Sequence, residues 1–156
     1  MIRIGCSGWS YEHWRGLFYP QKGSTSRWLE LYAESFDTVE INATFYRLPK
    51  ATTVERWATR TPDHFLFTVK ASRYLTHVKR LREIEEGVKR MEERIVPLRQ
   101  TGKLGPILWQ LPPHFTRDDD VAVQMRRIHT TVWRALARAS STERCEQERQ
   151  RASGAA

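Results

Sequence analysis

An α/β fold, with helices packed on a parallel sheet, follows from two features of the sequence. Short apolar runs alternate with longer amphipathic ones along the chain, and the short runs are apolar enough to lie under helices. With 156 residues and 40% apolar side chains, the chain suffices for one compact domain with a substantial core.

Ile2 to Cys6 reads as the first strand, with Ile2, Ile4 and Cys6 on one side and Arg3, Gly5 and Ser7 on the other. A long βα loop from Trp9 to Pro20 follows, rich in aromatic side chains. Leu17, Phe18 and Tyr19 are expected to plug the mouth of the fold, whereas Trp9, Tyr11 and Trp14 alternate with polar residues and suit a pocket wall. Ser24 to Phe36 is predicted as a helix, capped by Ser24 or Thr25 and burying Trp28, Leu29, Leu31, Tyr32 and Phe36. Thr38 to Asn42 is the second strand, Thr52 to Thr61 a helix ended by Pro62, and Phe65 to Lys70 the third strand. Leu81 to about Gln100 is an amphipathic helix interrupted by Gly87 and Pro97. Gly105-Pro106 then opens a fourth strand running to Leu111.

The formal charge of +8 invites a nucleic-acid partner. Its distribution argues for a solvated surface instead: Lys79-Arg80-Leu81-Arg82 is followed at once by Glu83, Glu85 and Glu86. No apolar run approaches the length of a membrane span and no signal-peptide pattern opens the chain, so the expected location is the cytoplasm, without a membrane partner. Cys6 and Cys145 suggest neither a disulfide framework nor a metal site.

The strand end from Val39 to Pro49 carries the chemistry. Val39 and Ile41 point to one face, Glu40 and Asn42 to the other, and a carboxylate within such a strand needs a partner charge, a polar cavity or a ligand.

Several motifs in order resemble the family called domain of unknown function 72, or YecE-like. They are Gly5-Cys6-Ser7-Gly8-Trp9-Ser10-Tyr11 with Trp14 and Phe18-Tyr19-Pro20, then Val39-Glu40-Ile41-Asn42-Ala43-Thr44-Phe45-Tyr46. Trp57 with Thr61-Pro62, Phe65 to Ala71, Thr76-His77, and Leu104-Gly105-Pro106 running to Gln110-Leu111-Pro112-Pro113 and Phe115 continue the match to about residue 119. The resemblance implies a TIM-type (β/α) barrel with its pocket at the C-terminal ends of the strands, and brings no established activity with it. Such a barrel takes about 250 residues. Residues 1–119 are therefore expected to form about four βα units, a partial barrel that stops before the second half. Residues 120–139, with Val121, Met125, Ile128, Val132 and Leu136 at helical spacing, are expected to form an amphipathic helix of non-family sequence, and 140–156 a polar, disordered tail. The Phe-Glu-Phe-Arg-His-like motif that family members carry after the helix beginning near Asp118 is not found. Together with the Arg-rich tail, this suggests a truncated or frameshifted member.

If the apolar sets face the helices, Arg3 and Ser7, Glu40 and Asn42, Thr68 and Lys70, and Leu108 and Gln110 face the barrel axis. Glu40 as base, Lys70 as anion contact and His77 as proton shuttle form the candidate catalytic group. Ser7, Trp9, Tyr11, Trp14, Asn42, Tyr46 and Gln110 are the candidate ligand contacts. The ligand is a small or phosphate-containing molecule; no cofactor is identified and no metal-ligand spacing is present. Glu40 paired with Lys70 or Arg3 in a purely structural ion pair is an equally open reading. Two further readings are a metal-dependent phosphoester hydrolase or nuclease built on Glu40, Lys70 and His77, and a basic single-stranded nucleic-acid module stacking bases on Trp9, Tyr11 and Trp14. Open strand edges of a half-barrel predict a homo-oligomer.

Overall fold

The computed structural model describes residues 2–115 and 123–128. It contains a three-stranded parallel sheet in the order β1 (Thr38–Ile41), β2 (Leu66–Lys70), β3 (Leu104–Leu108). Between the strands lie α2 (Ala43–Tyr46), α3 (Ala51–Thr59) and α4 (Glu85–Gln100), and before them α1 (Trp28–Ala33). Val39, Ile41, Phe67 and Val69 are fully buried on one face of the sheet, where Leu29 and Tyr32 of α1, Val54 and Ala58 of α3, and Met91, Ile95 and Leu98 of α4 close over them. Each such side chain contributes roughly 1.5–3 kcal/mol of transfer free energy, so burial fixes the phase of both strands. Glu40, Thr68 and Lys70 therefore fall on the opposite face and are only half-buried.

The expected first strand does not form. Residues 2–6 run beside β1 but join it by a single bridge, Ser7 to Glu40, supported by Glu40 N–H donating to Cys6 O at 3.0 Å and Gly8 N–H donating to Glu40 O at 2.9 Å. Ile2 and Ile4 remain 91% and 74% exposed, so burial does not hold this segment in a ladder. The sheet thus has three strands where four were expected. Gly5 permits the close approach: a Cβ there would collide with the Thr38 carbonyl.

Several boundaries also move. The helix expected from Ser24 begins as a 3₁₀ turn over Thr25–Arg27, with the Ser24 side chain accepting from Ser26 N–H, and becomes α-helical only at Trp28. The helix expected from Leu81 starts at Glu85, because Arg80, Leu81 and Glu83 adopt positive φ (49°, 66° and 47°), which turns Leu81 into a second apolar cluster with Leu75, Ile84, Val88 and Ile128. A π-helical turn, Tyr74–Val78, precedes it. Neither Gly87 nor Pro97 interrupts α4. Gly87 lies against Leu75, where a Cβ would clash with its side chain. The last strand ends at Leu108 rather than Leu111. Leu17 is 88% exposed and plugs nothing, while Tyr19 is buried, stacked at 4.6 Å on Trp28. Residues 123–128 are helical; the remainder of the helix expected over 120–139 and the tail expected over 140–156 lie outside the described residues.

Two buried polar groups tie the layers together. Lys103, 4% exposed, donates to Ala58 O and Thr61 O, both at 2.6 Å, closing the carbonyl end of α3 against the start of β3. The Tyr32 hydroxyl accepts from Cys6 N–H at 2.7 Å and donates to Thr38 O at 3.0 Å, so one phenol joins α1, the 2–7 segment and β1. Burial is the main cause that pushes this phenol up to about 12, and burial likewise raises Tyr19.

A folded-state value above the unfolded value of about 10 means that this stabilisation is complete below about pH 10 and is lost as pH rises through about 12. Alkaline titration followed by phenolate absorbance and tryptophan fluorescence should show late-ionising tyrosine released together with unfolding, and Tyr32→Phe should remove part of that late step. Gly5→Ala should lower stability by about 2 kcal/mol or more in urea denaturation, since the added carbon meets backbone that cannot move aside.

Candidate functional site

Parallel register delivers the chemistry to one end of the sheet. Glu40 pairs with Thr68, and Lys70 with Leu108. The Glu40 carboxylate accepts from Ser7 Oγ at 2.7 Å, and Lys70 Nζ lies 3.5 Å from the same oxygen, Oε1. Their side chains are 21% and 13% exposed, a partly desolvated pair in which each charge needs the other. Arg3, the other cation considered for Glu40, instead donates to the Asp37 and His64 carbonyls near the opposite end of the strands.

β1 ends where Asn42 turns into α2. Asn42 has helical backbone angles, so the alternation expected to carry it along the strand stops one residue earlier. Its Oδ1 is buried without a hydrogen-bond partner among the described residues, an acceptor that no donor there meets. Thr44, fully buried, directs its hydroxyl to Ile41 O at 2.6 Å and Lys70 O at 2.7 Å, which pins α2 across the ends of β1 and β2. Phe45 then sits 5.1 Å from Lys70 Nζ by its ring centroid, and the His77 ring lies 5.1 Å from the same ring, edge to face. His77 Nδ1 is 2.9 Å from Thr76 Oγ1.

Ser7, Glu40 and Lys70 are therefore in direct contact at the C-terminal ends of the strands, His77 is joined to them through the Phe45 ring, and Asn42 follows at the end of β1. Tyr11 reaches it through its hydroxyl, which donates to Ser7 O. Trp9 and Trp14 pack half-buried against the core, Trp9 edge-on to Trp57 at 5.3 Å and Trp14 among Tyr11, Phe18 and Tyr19. Tyr46 is 75% exposed beside Phe45. Gln110 is exposed beyond the end of β3. Thr44 and Phe45 are the contributors that strand phase could not reveal, because both act from the short helix after β1. Their one sequence signal is the run Asn42-Ala43-Thr44-Phe45-Tyr46.

A family model described as "Protein of unknown function DUF72" matches residues 3–139. The chain belongs to the DUF72 family. That match continues past the last motif legible by eye near residue 119. Among curated relatives, UPF0759 protein YunF of Bacillus subtilis is 34% identical over 119 residues, covering 74% of this chain and 41% of the relative. UPF0759 protein YecE of Escherichia coli K12 is 38% identical over 115 residues, covering 74% and 39%. The chain thus spans about two-fifths of the length of these relatives. A solved DUF72 protein from Thermotoga maritima superposes with a TM-score of 0.73 at 30% identity, over 84% of this chain and 52% of that one. One from Enterococcus faecalis superposes at 0.70 and 24% identity, which shows likeness of fold. Among the described residues, no helix is long and apolar enough to cross a membrane.

The mutual dependence of Glu40 and Lys70 is measurable. A double-mutant cycle of Glu40→Gln and Lys70→Met, read by denaturant unfolding, should give a coupling of about 1 kcal/mol, the scale of a pair still partly hydrated. Coupling near zero would mean that the two side chains do not share a site.

Proposed function

We propose that this DUF72 chain supplies the amino-terminal half of a TIM-type barrel and, at the C-terminal ends of its strands, part of a pocket for a small ligand bearing an oxyanion. The observation that carries this reading is the group formed by Ser7, Glu40 and Lys70 at the C-terminal ends of β1 and β2, where Asn42, the residue that follows β1, keeps a buried Oδ1 without a partner among the described residues. Lys70 offers a cation for a phosphate or carboxylate oxygen, Asn42 Oδ1 accepts from a ligand hydroxyl or amide, and Glu40 is placed to take a proton from a group held between them. His77, oriented by Thr76 and Phe45, stands at the same mouth for a second proton. Activity requires the walls that further strands would add, so the half-site binds before it catalyses.

The oxyanion in this reading is met by Lys70, whose Nζ lies 3.5 Å from the Glu40 carboxylate. Base stacking on Trp9 and Trp14 is disfavoured because both rings already pack on the protein.

Inorganic phosphate titrated into isotopically labelled protein should shift the amide resonances of Gly8, Asn42 and Ala71 together, and Lys70→Met should abolish those shifts while leaving the spectrum folded. Absence of any shift in the parent protein, or an identical response in Lys70→Met, would overturn the assignment.

A further inference from the structure

Lys70 brings an ammonium group with three donors to the end of β2, and two neighbours of opposite chemistry meet it there. Glu40 Oε1 stands 3.5 Å from Nζ, beyond the roughly 2.7–2.9 Å of a short charge-assisted hydrogen bond, and already accepts from Ser7 Oγ at 2.7 Å. The Phe45 ring lies under the ammonium, its centroid 5.1 Å from Nζ, inside the roughly 6 Å over which a ring face attracts a cation. Attraction to a ring face is spread over the π cloud and takes no lone pair. The ammonium is thus held while its N–H groups stay available to a ligand. The ring itself is fixed from two directions. Thr44, the residue before it, is fully buried and bonds to Ile41 O at 2.6 Å and to Lys70 O at 2.7 Å, so α2 is tied to the backbone of the same lysine whose head the ring meets. His77 and Tyr46 then pack against that ring edge to face, each at 5.1 Å.

We propose that Phe45 is a positioning residue for the oxyanion site: its ring face holds the Lys70 ammonium short of full contact with Glu40, so that the charge and its donors serve a bound oxyanion. The proposal rests on the reading of Lys70 as the oxyanion contact. A lysine head on a flexible four-carbon stem, with a carboxylate as its one attraction, closes on that carboxylate and spends its charge there. The ring supplies a second attraction, of a strength comparable to that of a partly hydrated ion pair. Between the two, the ammonium keeps the 3.5 Å separation. His77 shares the ring, so a change in the ring's outline disturbs both side chains. A decisive test therefore alters the electrons of the ring and keeps its outline.

Mono-, di- and pentafluorophenylalanine in place of Phe45 drain negative potential from the ring face with little change of shape, and near-UV circular dichroism checks that each protein remains folded. Inorganic phosphate titrated into the full chain should bind more weakly with each step of the series, by about fivefold at its end. Phe45→Leu should lose about as much, and Phe45→Tyr, which keeps the ring, should bind as the parent does. Before phosphate is added, the Lys70 Hε protons should resonate upfield of those of an exposed lysine such as Lys22, and should lose that ring-current shift in Phe45→Leu. Phosphate affinity that stays constant across the fluorine series, including the case in which Phe45→Leu alone is weakened, would overturn the role of the ring face and leave Lys70 as the oxyanion contact. A parent chain without the Lys70-dependent phosphate response overturns the oxyanion reading and the positioning role together.

Discussion

Alternate burial along β1 and β2 is the constraint on which the rest of this structure depends, because Val39, Ile41, Phe67 and Val69 can all reach α1, α3 and α4 only in one strand phase. A slip of one residue would move those four side chains into water and bring Glu40 and Lys70 under the helices, losing several kcal/mol of burial and adding the desolvation of two charges. The phase that satisfies the core therefore also sets Glu40 and Lys70 together on the other face. In parallel strands of matching register, that face presents its polar residues at one end. The candidate site follows from how the core is built.

Around this core the polar backbone is closed by a few buried side chains. Tyr32 satisfies the 2–7 segment and β1 through one hydroxyl, Thr44 spans the ends of β1 and β2, and Lys103 holds the last carbonyls of α3. Each stands where an element ends and the ladder no longer supplies a partner. Asn42 is the exception among these junctions: its side-chain oxygen Oδ1 is buried at the end of β1 with no donor facing it among the described residues.

Family membership sets the scale. The matched relatives are more than twice as long as the region they share with this chain, and the solved ones devote about half their length to the same fold. Among the described residues, Ile2 and Ile4 lie in water at one margin of the sheet, and β3 has one strand neighbour at the other.

The sequence by itself determined the succession β1, α3, β2, α4, β3, the buried face of the sheet, and the setting of Glu40 and Lys70 on its other face, because a period of two in apolar strands translates directly into a choice of face. It also carried the family, through motifs whose spacing survives without any structure. Only the tertiary structure decided the rest. The 2–7 segment has strand-like alternation yet forms one bridge, since a strand needs partners as well as pattern. Leu81 leaves the helix that its neighbours favour because a second apolar cluster takes it in. Asn42 turns out of the strand, and Thr44 and Phe45 enter the site from the helix it begins, because backbone direction at a strand end is set by what packs across it and not by the alternation leading up to it.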